Sequence, residues 1–155
     1  MNIFVLDIDI KKCAQYHCDK HVVKMILEHV QMLSTTVNIT NNIQTQYKST
    51  HINHPCTIWT KQSLDNWLWL AALTWELNEE YKFRFNKNVN HKSLDVLLKL
   101  PYPKLPKKGL TFFAQAMPEI YKIKNNAIHA YRNYYIGEKS HILQYTKRSK
   151  PYWII

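Results

Sequence analysis

Only two glycines, Gly109 and Gly137, occur in 155 residues. Glycine is the residue that takes positive φ cheaply. So few of them disfavour tight hairpins, dinucleotide-binding turns and glycine-rich phosphate loops, and favour helices. Hydrophobic residues make up 46% of the chain and aromatics 13%, which suits a packed core and not a disordered chain. The length suits one domain, so residues 1–155 are expected to form a compact, single-domain, all-α bundle.

The pattern along the chain supports this. Ile3 to Leu6 is a short apolar arm. Asp9 is placed to cap a short helix through His17, and Asp19 to cap a longer one to about Val37, because an aspartate accepts from the free amides of a first turn. Val22, Val23, Ile26, Val30, Leu33 and Val37 keep helical spacing and are expected to face the core. The polar run Thr36 to Thr50 reads as a loop. Pro55 suits a first helical position, with Asn53 or His54 as cap, and the pattern then predicts one long central helix to about Phe85. Ser93 to Leu100 reads as a short helix, and Pro101, Pro103 and Pro106 as an extended crossing ended by Gly109. Phe112–Ala116 and Glu119–Lys122 read as helical turns. Asn126–Tyr135 reads as a helix stopping near Gly137, and Lys139–Lys147 as the last helix.

The formal charge is +10, which points to a polyanionic partner, nucleic acid before an anionic membrane; a plain solubility charge is the alternative. Nearly all the cations are lysines, Arg84, Arg132 and Arg148 being the exceptions. Lysine serves phosphates as a point charge, whereas bidentate readout of guanine prefers arginine, so little base-edge specificity is expected. Cys13, Cys18 and Cys56 cannot all pair within one chain, which fits a reducing compartment. The N-terminal run has no basic region and is interrupted by Asp7 and Asp9, and Trp67–Trp75 is too short to span a bilayer. A soluble intracellular protein, acting as a monomer away from membranes, is expected.

Four constellations carry possible chemistry. His21, Lys24 and Glu28 share one helical face, flanked by Lys20 and Gln31. A carboxylate with cations one turn away can act as a base or stabilise a developing cation, and the same spacing equally fits a solvated face with a Lys24–Glu28 pair. Cys13, His17 and His21, with Cys18 nearby, and His51, His54 and Cys56 are residue types that bind zinc, but no recognised ligand spacing is present. Tyr131, Arg132, Tyr134, Tyr135 and Lys139 interleave rings and cations, as stacking on bases requires and as a terminal helix packing on a core also does. His51, Asn53, His54 and Pro55 sit before Trp59, at a helix N-terminus that attracts phosphate or is simply capped.

Three of these pieces, taken with the arm Met1-Asn2-Ile3-Phe4, resemble the pyrimidine-dimer DNA glycosylases of the phage endonuclease V type and small bacterial relatives of that superfamily. The Asp19–Glu28 helix resembles the family's active-site helix, which sets a basic residue, often His, seven positions before its essential Glu. Tyr131–Lys139 is similar to the family's aromatic C-terminal element. Asn53-His54-Pro55 with Trp59 looks like the Asn-His-Pro-x-x-x-Trp of the bacterial relatives. Where the phage enzyme has Arg immediately before the Glu, this chain has Leu27.

The resemblance implies an all-helical fold with the N-terminus threaded to the helix that bears Glu28. It also implies a metal- and cofactor-free glycosylase and abasic-site lyase acting on damaged double-stranded DNA. The nucleophile would be the amine of Met1 or, after processing, of Asn2; an α-amino group in general titrates near 7.7–8.0 and is partly neutral at pH 7. Glu28 would be the catalytic carboxylate. Lys20, His21, Lys24, Gln31, His54, Arg132, Tyr134, Tyr135 and Lys139 would contact DNA. Two other classes fit the residues alone: a non-catalytic basic nucleic-acid-binding module, and a small-nucleotide hydrolase or phosphodiesterase using His17, His51 or His54.

Overall fold

In the computed structural model, which describes residues 1–155, six α-helices and two 3-10 turns follow an extended arm, and no strand forms. The helices are α1 (Ile10–Tyr16), α2 (Asp19–Asn41), α3 (Pro55–Thr60), α4 (Leu64–Arg84), α5 (Lys92–Leu97) and α6 (Ala127–Glu138). The long helices α2 and α4 pack on each other; α1 lies against α4, and α3 and α5 against α2. Val22, Met25, Ile26, Val30, Leu33 and Val37 of α2 meet Trp67, Leu70, Leu73 and Leu77 of α4 in one buried cluster, which also takes in Ile3–Leu6 of the arm. Burying one such Leu, Ile or Val side chain is worth about 1.5–3 kcal/mol. Val23, expected inward, is 38% exposed, because it lies one residue round from the apolar stripe. No helix is long and apolar enough to cross a membrane.

Several boundaries differ from those expected, each for a physical reason. The helix α2 does not stop at Val37. Its last turns keep Thr36 and Thr40, whose hydroxyls donate to the carbonyls of Met32 and Thr36 one turn back. Tertiary bonds then support a stretch of low helix propensity: Asn38 holds the next loop by accepting from the Thr45 amide and donating to Tyr47 O. Asn42, at φ 51°, ends the helix in the left-handed region. At the other end Cys18, not Asp19, is the cap, and it makes no side-chain bond. Asp19 is spent on tertiary contacts instead, with Arg84 and with the amide and hydroxyl of Thr146.

The single central helix expected from Pro55 to Phe85 is two helices. His54 caps α3 by accepting from the Cys56 amide, and Ser63 caps α4 by accepting from the Asn66 amide. Asn66 in turn donates to Trp59 O, a carbonyl of the last turn of α3 that also accepts from the Gln62 amide. The apolar periodicity runs through this break because both helices face the same core. Phe112–Ala116 is not helical. Lys139–Lys147 contains only a 3-10 turn over Ser140–Ile142, and the tail is instead fixed by single bonds, such as Tyr145 Oη to Tyr16 O. Gly137 does not end α6; it lies inside the helix, where a Cβ would collide with the Tyr121 ring. Gly109 takes φ +82°, a conformation that disfavours any other residue.

One buried charge network ties these parts together. Arg84, 1% exposed, donates to Glu80 Oε1, Asp19 Oδ1 and the carbonyls of His17 and Gln15. Arg148 adds two further bonds to Glu80, at 3.0 and 2.7 Å. An arginine buried this deeply is tolerated only because its donors are satisfied. Here they fix the α1–α2 junction, and so the first turn of α2, to the end of α4.

Candidate functional site

The site begins with the arm. Residues 3–6 are extended and almost fully buried, which ordinarily leaves backbone polar groups without partners. Side chains supply them. Arg132 donates to Leu6 O at 2.9 Å and pairs with Asp7 at 3.0 Å. Cys13 Sγ donates to Phe4 O and accepts from the Leu6 amide. The Asn2 side chain is held on every side: its amide donates to Ala116 O at 2.9 Å, and its oxygen accepts from the Ile3 amide and from Tyr131 Oη, both at 2.8 Å. The Phe4 ring stacks on the His21 ring with centroids 4.4 Å apart and planes 21° from parallel.

This anchoring leaves the Met1 amine 3.1 Å from Glu28 Oε1. Glu28 is 8% exposed and sits on the second turn beyond His21. Its other oxygen lies 3.7 Å from Lys24 Nζ, a side chain that is 68% exposed. A carboxylate taken this far from water is costly unless cations face it, and here two do. The stripe is therefore not a solvated face: Lys20, Lys24 and Leu27 are exposed, while His21 and Glu28 are turned inward.

His21 is not a cation. Burial, then the charges of His17, Lys139 and Lys24, lower its pKa to about 3. A neutral ring bonded through Nδ1 to Tyr135 Oη at 2.6 Å and stacked on Phe4 supports the arm rather than holding a phosphate. His54, half-buried, is also pushed toward the neutral form, first by burial and then by the Met1 ammonium, against the opposing pull of Glu28. Because its Nδ1 accepts from the Cys56 amide, Nε2 carries the proton, and His54 is a hydrogen-bond donor near the amine.

The C-terminal aromatic element divides. Tyr131 and Tyr135 are fully buried and cannot stack on bases. Tyr135, expected at the DNA, instead orients His21. Arg132, also expected there, is committed to the arm, with its guanidinium against the rings of Tyr16, Tyr152 and Trp153. Tyr134 is half-buried and lies near-parallel to Phe4, with Lys139 Nζ 5.2 Å over its ring. Gln31 and Leu27 line a polar groove of about 480 Å³ closed on its far side by Gln46–Thr50.

The cysteines and histidines read as possible ligands do not converge: no three His, Cys, Asp or Glu side chains are arranged to hold a metal ion. Burial pushes the Cys13 thiol up to about 12 and Cys56 to about 11, so both stay protonated. His17 is sealed in the core, its Nδ1 on Cys13 O at 2.7 Å and its pKa lowered to about 4.

Asn2, Phe4, Tyr131 and Arg132 thus position the amine and Glu28; from the sequence, Asn2, Tyr131 and Arg132 stand out for other roles, and Phe4 only as part of the arm. Their contacts join residues more than a hundred positions apart, as in Tyr131–Asn2 and Arg132–Leu6, and no local pattern signals such pairs.

A family model described as pyrimidine dimer DNA glycosylase matches residues 1–93, the stretch that holds the arm, α2 with Glu28, and His54. The Tyr131–Lys139 element lies beyond it. No curated protein matches the chain, and no solved structure does. The match covers more than half of the sequence and agrees with the resemblance read from its motifs: the chain belongs to the pyrimidine dimer DNA glycosylase family.

Proposed function

We propose that this protein is a glycosylase and abasic-site lyase for damaged pyrimidines in double-stranded DNA, with the Met1 amine as nucleophile and Glu28 as catalytic carboxylate. The observation that carries the reading is the 3.1 Å separation of Met1 N and the largely buried Glu28 Oε1. In this reading Glu28 takes a proton from the ammonium, freeing the lone pair. The amine then forms a bond to the sugar C1′ as the bond from C1′ to the base nitrogen breaks; the electron pair leaves with the base, which takes the proton from Glu28 and returns it to the carboxylate form. Cleavage of that bond places positive charge on the sugar, and a carboxylate held beside it stabilises the charge without having to reorganise. The nitrogen lone pair then expels the ring oxygen O4′ from C1′, the proton carried by the attached amine passing to O4′, and the iminium so formed acidifies the C2′ hydrogens. Loss of one as a proton, with Glu28 as acceptor, expels the 3′ phosphate by β-elimination, and water then releases the enzyme from the imine.

Lys20, Lys24 and Lys139 are the cations we assign to the phosphates, with Gln31 and the His54 Nε2–H as polar contacts to the lesion and Tyr134 as the half-buried ring beside them. A hydrolase working through His17 finds no support, since that side chain is sealed and neutral. The experiment is borohydride trapping on duplexes carrying a pyrimidine dimer or an abasic site, followed by peptide mapping. The adduct is expected on the Met1 peptide, and Glu28→Gln is expected to slow strand cleavage about a hundredfold or more. An adduct on a lysine, or none, refutes the assignment.

A further inference from the structure

We propose that the segment Lys104–Phe112, which lies outside the family match, is a second DNA-contact element in which Phe112 inserts into the base stack beside the Met1–Glu28 pair while Lys104, Lys107 and Lys108 hold the phosphates. The proposal takes only its partner, DNA, from the family assignment. The segment has no regular structure and passes over the surface between two fixed points. On one side Gly109 donates to Asp65, and Thr111 bonds to Asn66 and Gln62 at the α3–α4 junction. On the other, Ala114 O and Ala116 N bond to Tyr131 Oη, and Ala116 O receives the Asn2 amide. Phe112 is therefore four residues from a direct contact with the residue after the nucleophile. Extended chain spans at most about 3.5 Å per residue, so Phe112 stands within about 14 Å of that contact, a few base-pair steps.

Successive residues of this extended stretch point opposite ways. Phe113 turns inward and packs on Trp59 and Trp69, with ring centroids 5.2 and 4.8 Å apart. Phe112 turns outward and is 75% exposed, with Leu110 at 43%. Both border an open apolar cavity of about 660 Å³ against the start of α6, so the Phe112 ring is not locked by packing. An aromatic ring held out from a rigid frame is costly in water and suits insertion between base pairs, where it replaces a stacking partner. Lys104, Lys107 and Lys108 are exposed on the same segment, and none pairs with a carboxylate. Apolar wedge and unpaired lysines together fit a duplex, and fit neither a second copy of a chain of charge +10 nor an apolar protein face.

The test uses the whole protein and a duplex with a tetrahydrofuran abasic analogue, which cannot form an imine, next to 2-aminopurine. Wild-type protein is expected to raise the fluorescence several-fold as the neighbouring base unstacks. Phe112→Ala is expected to lose more than half of that rise with an unchanged melting temperature, and Phe112→Trp to restore it. A triple Lys104→Gln, Lys107→Gln, Lys108→Gln variant is expected to lower the slope of log affinity against log salt by about 2–3, at roughly 0.9 per phosphate. No rise with wild-type protein, or a full rise with Phe112→Ala, overturns the wedge; an unchanged salt slope overturns the lysine contacts. Neither readout requires the Met1 amine to react, so failure here is distinct from failure of borohydride trapping.

Discussion

Replacing Tyr131 by Phe removes one oxygen from the fully buried ring and leaves its packing volume in place. That oxygen accepts from the Ala116 amide at 3.1 Å, and its single hydrogen is shared between Asn2 Oδ1 at 2.8 Å and Ala114 O at 3.0 Å. After the change, Asn2 keeps its bond from the Ile3 amide, but the Ala116 N–H has no acceptor. A lost hydrogen bond costs about 1 kcal/mol net, and a donor left unsatisfied about 1–3, so we expect about 1.5–3 kcal/mol of destabilisation. For a chain of this size that lowers Tm by roughly 4–10 °C. The effect on chemistry is separate. Asn2 adjoins the proposed nucleophile, and a displacement of about 1 Å at a reacting atom costs up to roughly a hundredfold in rate. Single-turnover borohydride trapping at 25 °C, where the variant is still folded, is expected to slow by about tenfold or more while DNA affinity holds. Tyr135→Phe is the control, since it frees His21 but not Asn2. A lowered Tm with an unchanged trapping rate refutes the idea that the Tyr131–Asn2 tie positions the amine.

Extending the chain by one residue before Met1 moves the amine by up to about 3.8 Å and breaks its pair with Glu28; trapping is expected to vanish while gel-shift binding persists. Buried His17 and His21 have pKa values of about 4 and about 3 against the usual 6.5. The unfolded chain therefore takes up protons first as pH falls. Stability is full above pH 6.5 and is lost below it, with a slope approaching about 1.4 kcal/mol per pH unit for each histidine. Urea unfolding from pH 7 to pH 4.5 checks this, and a flat profile contradicts it. Arg84→Ala leaves Glu80 and Asp19 with half their partners and is expected to cost about 3–5 kcal/mol, read as a Tm drop above 6 °C or loss of folded protein. Arg148→Ala removes a partner of Glu80 whose own side chain is partly exposed, leaves Arg84 in place, and is expected to cost less than half as much.

The helices that could be read in advance were those whose apolar residues recur on one face and whose first turn carries a side-chain cap. Asp9 before α1 and His54 with Pro55 before α3 are of this kind. The boundaries that were missed are set by distant partners. Thr45 and Tyr47 support the last turns of α2 through Asn38. Asn66 reaches back to α3 and across to Thr111. Asp19 serves Arg84 and Thr146 rather than its own helix.

That the chain is helical, that it is strongly basic, and that His21, Lys24 and Glu28 share a face can be read from the residues in order. These follow from glycine scarcity, charge and the 3.6-residue repeat, all of which are local or additive properties. The same order does not determine what that face does, since a Lys24–Glu28 pair reads the same in water or in a pocket. Only the tertiary structure brings Met1 to Glu28, neutralises His21 by burial, and withdraws Tyr131, Tyr135 and Arg132 from the surface to hold the arm. The physical reason is desolvation. Whether a carboxylate is a surface charge or a buried one facing an amine depends on which remote segments reach it, and here that segment is the N-terminal arm, itself held by α6.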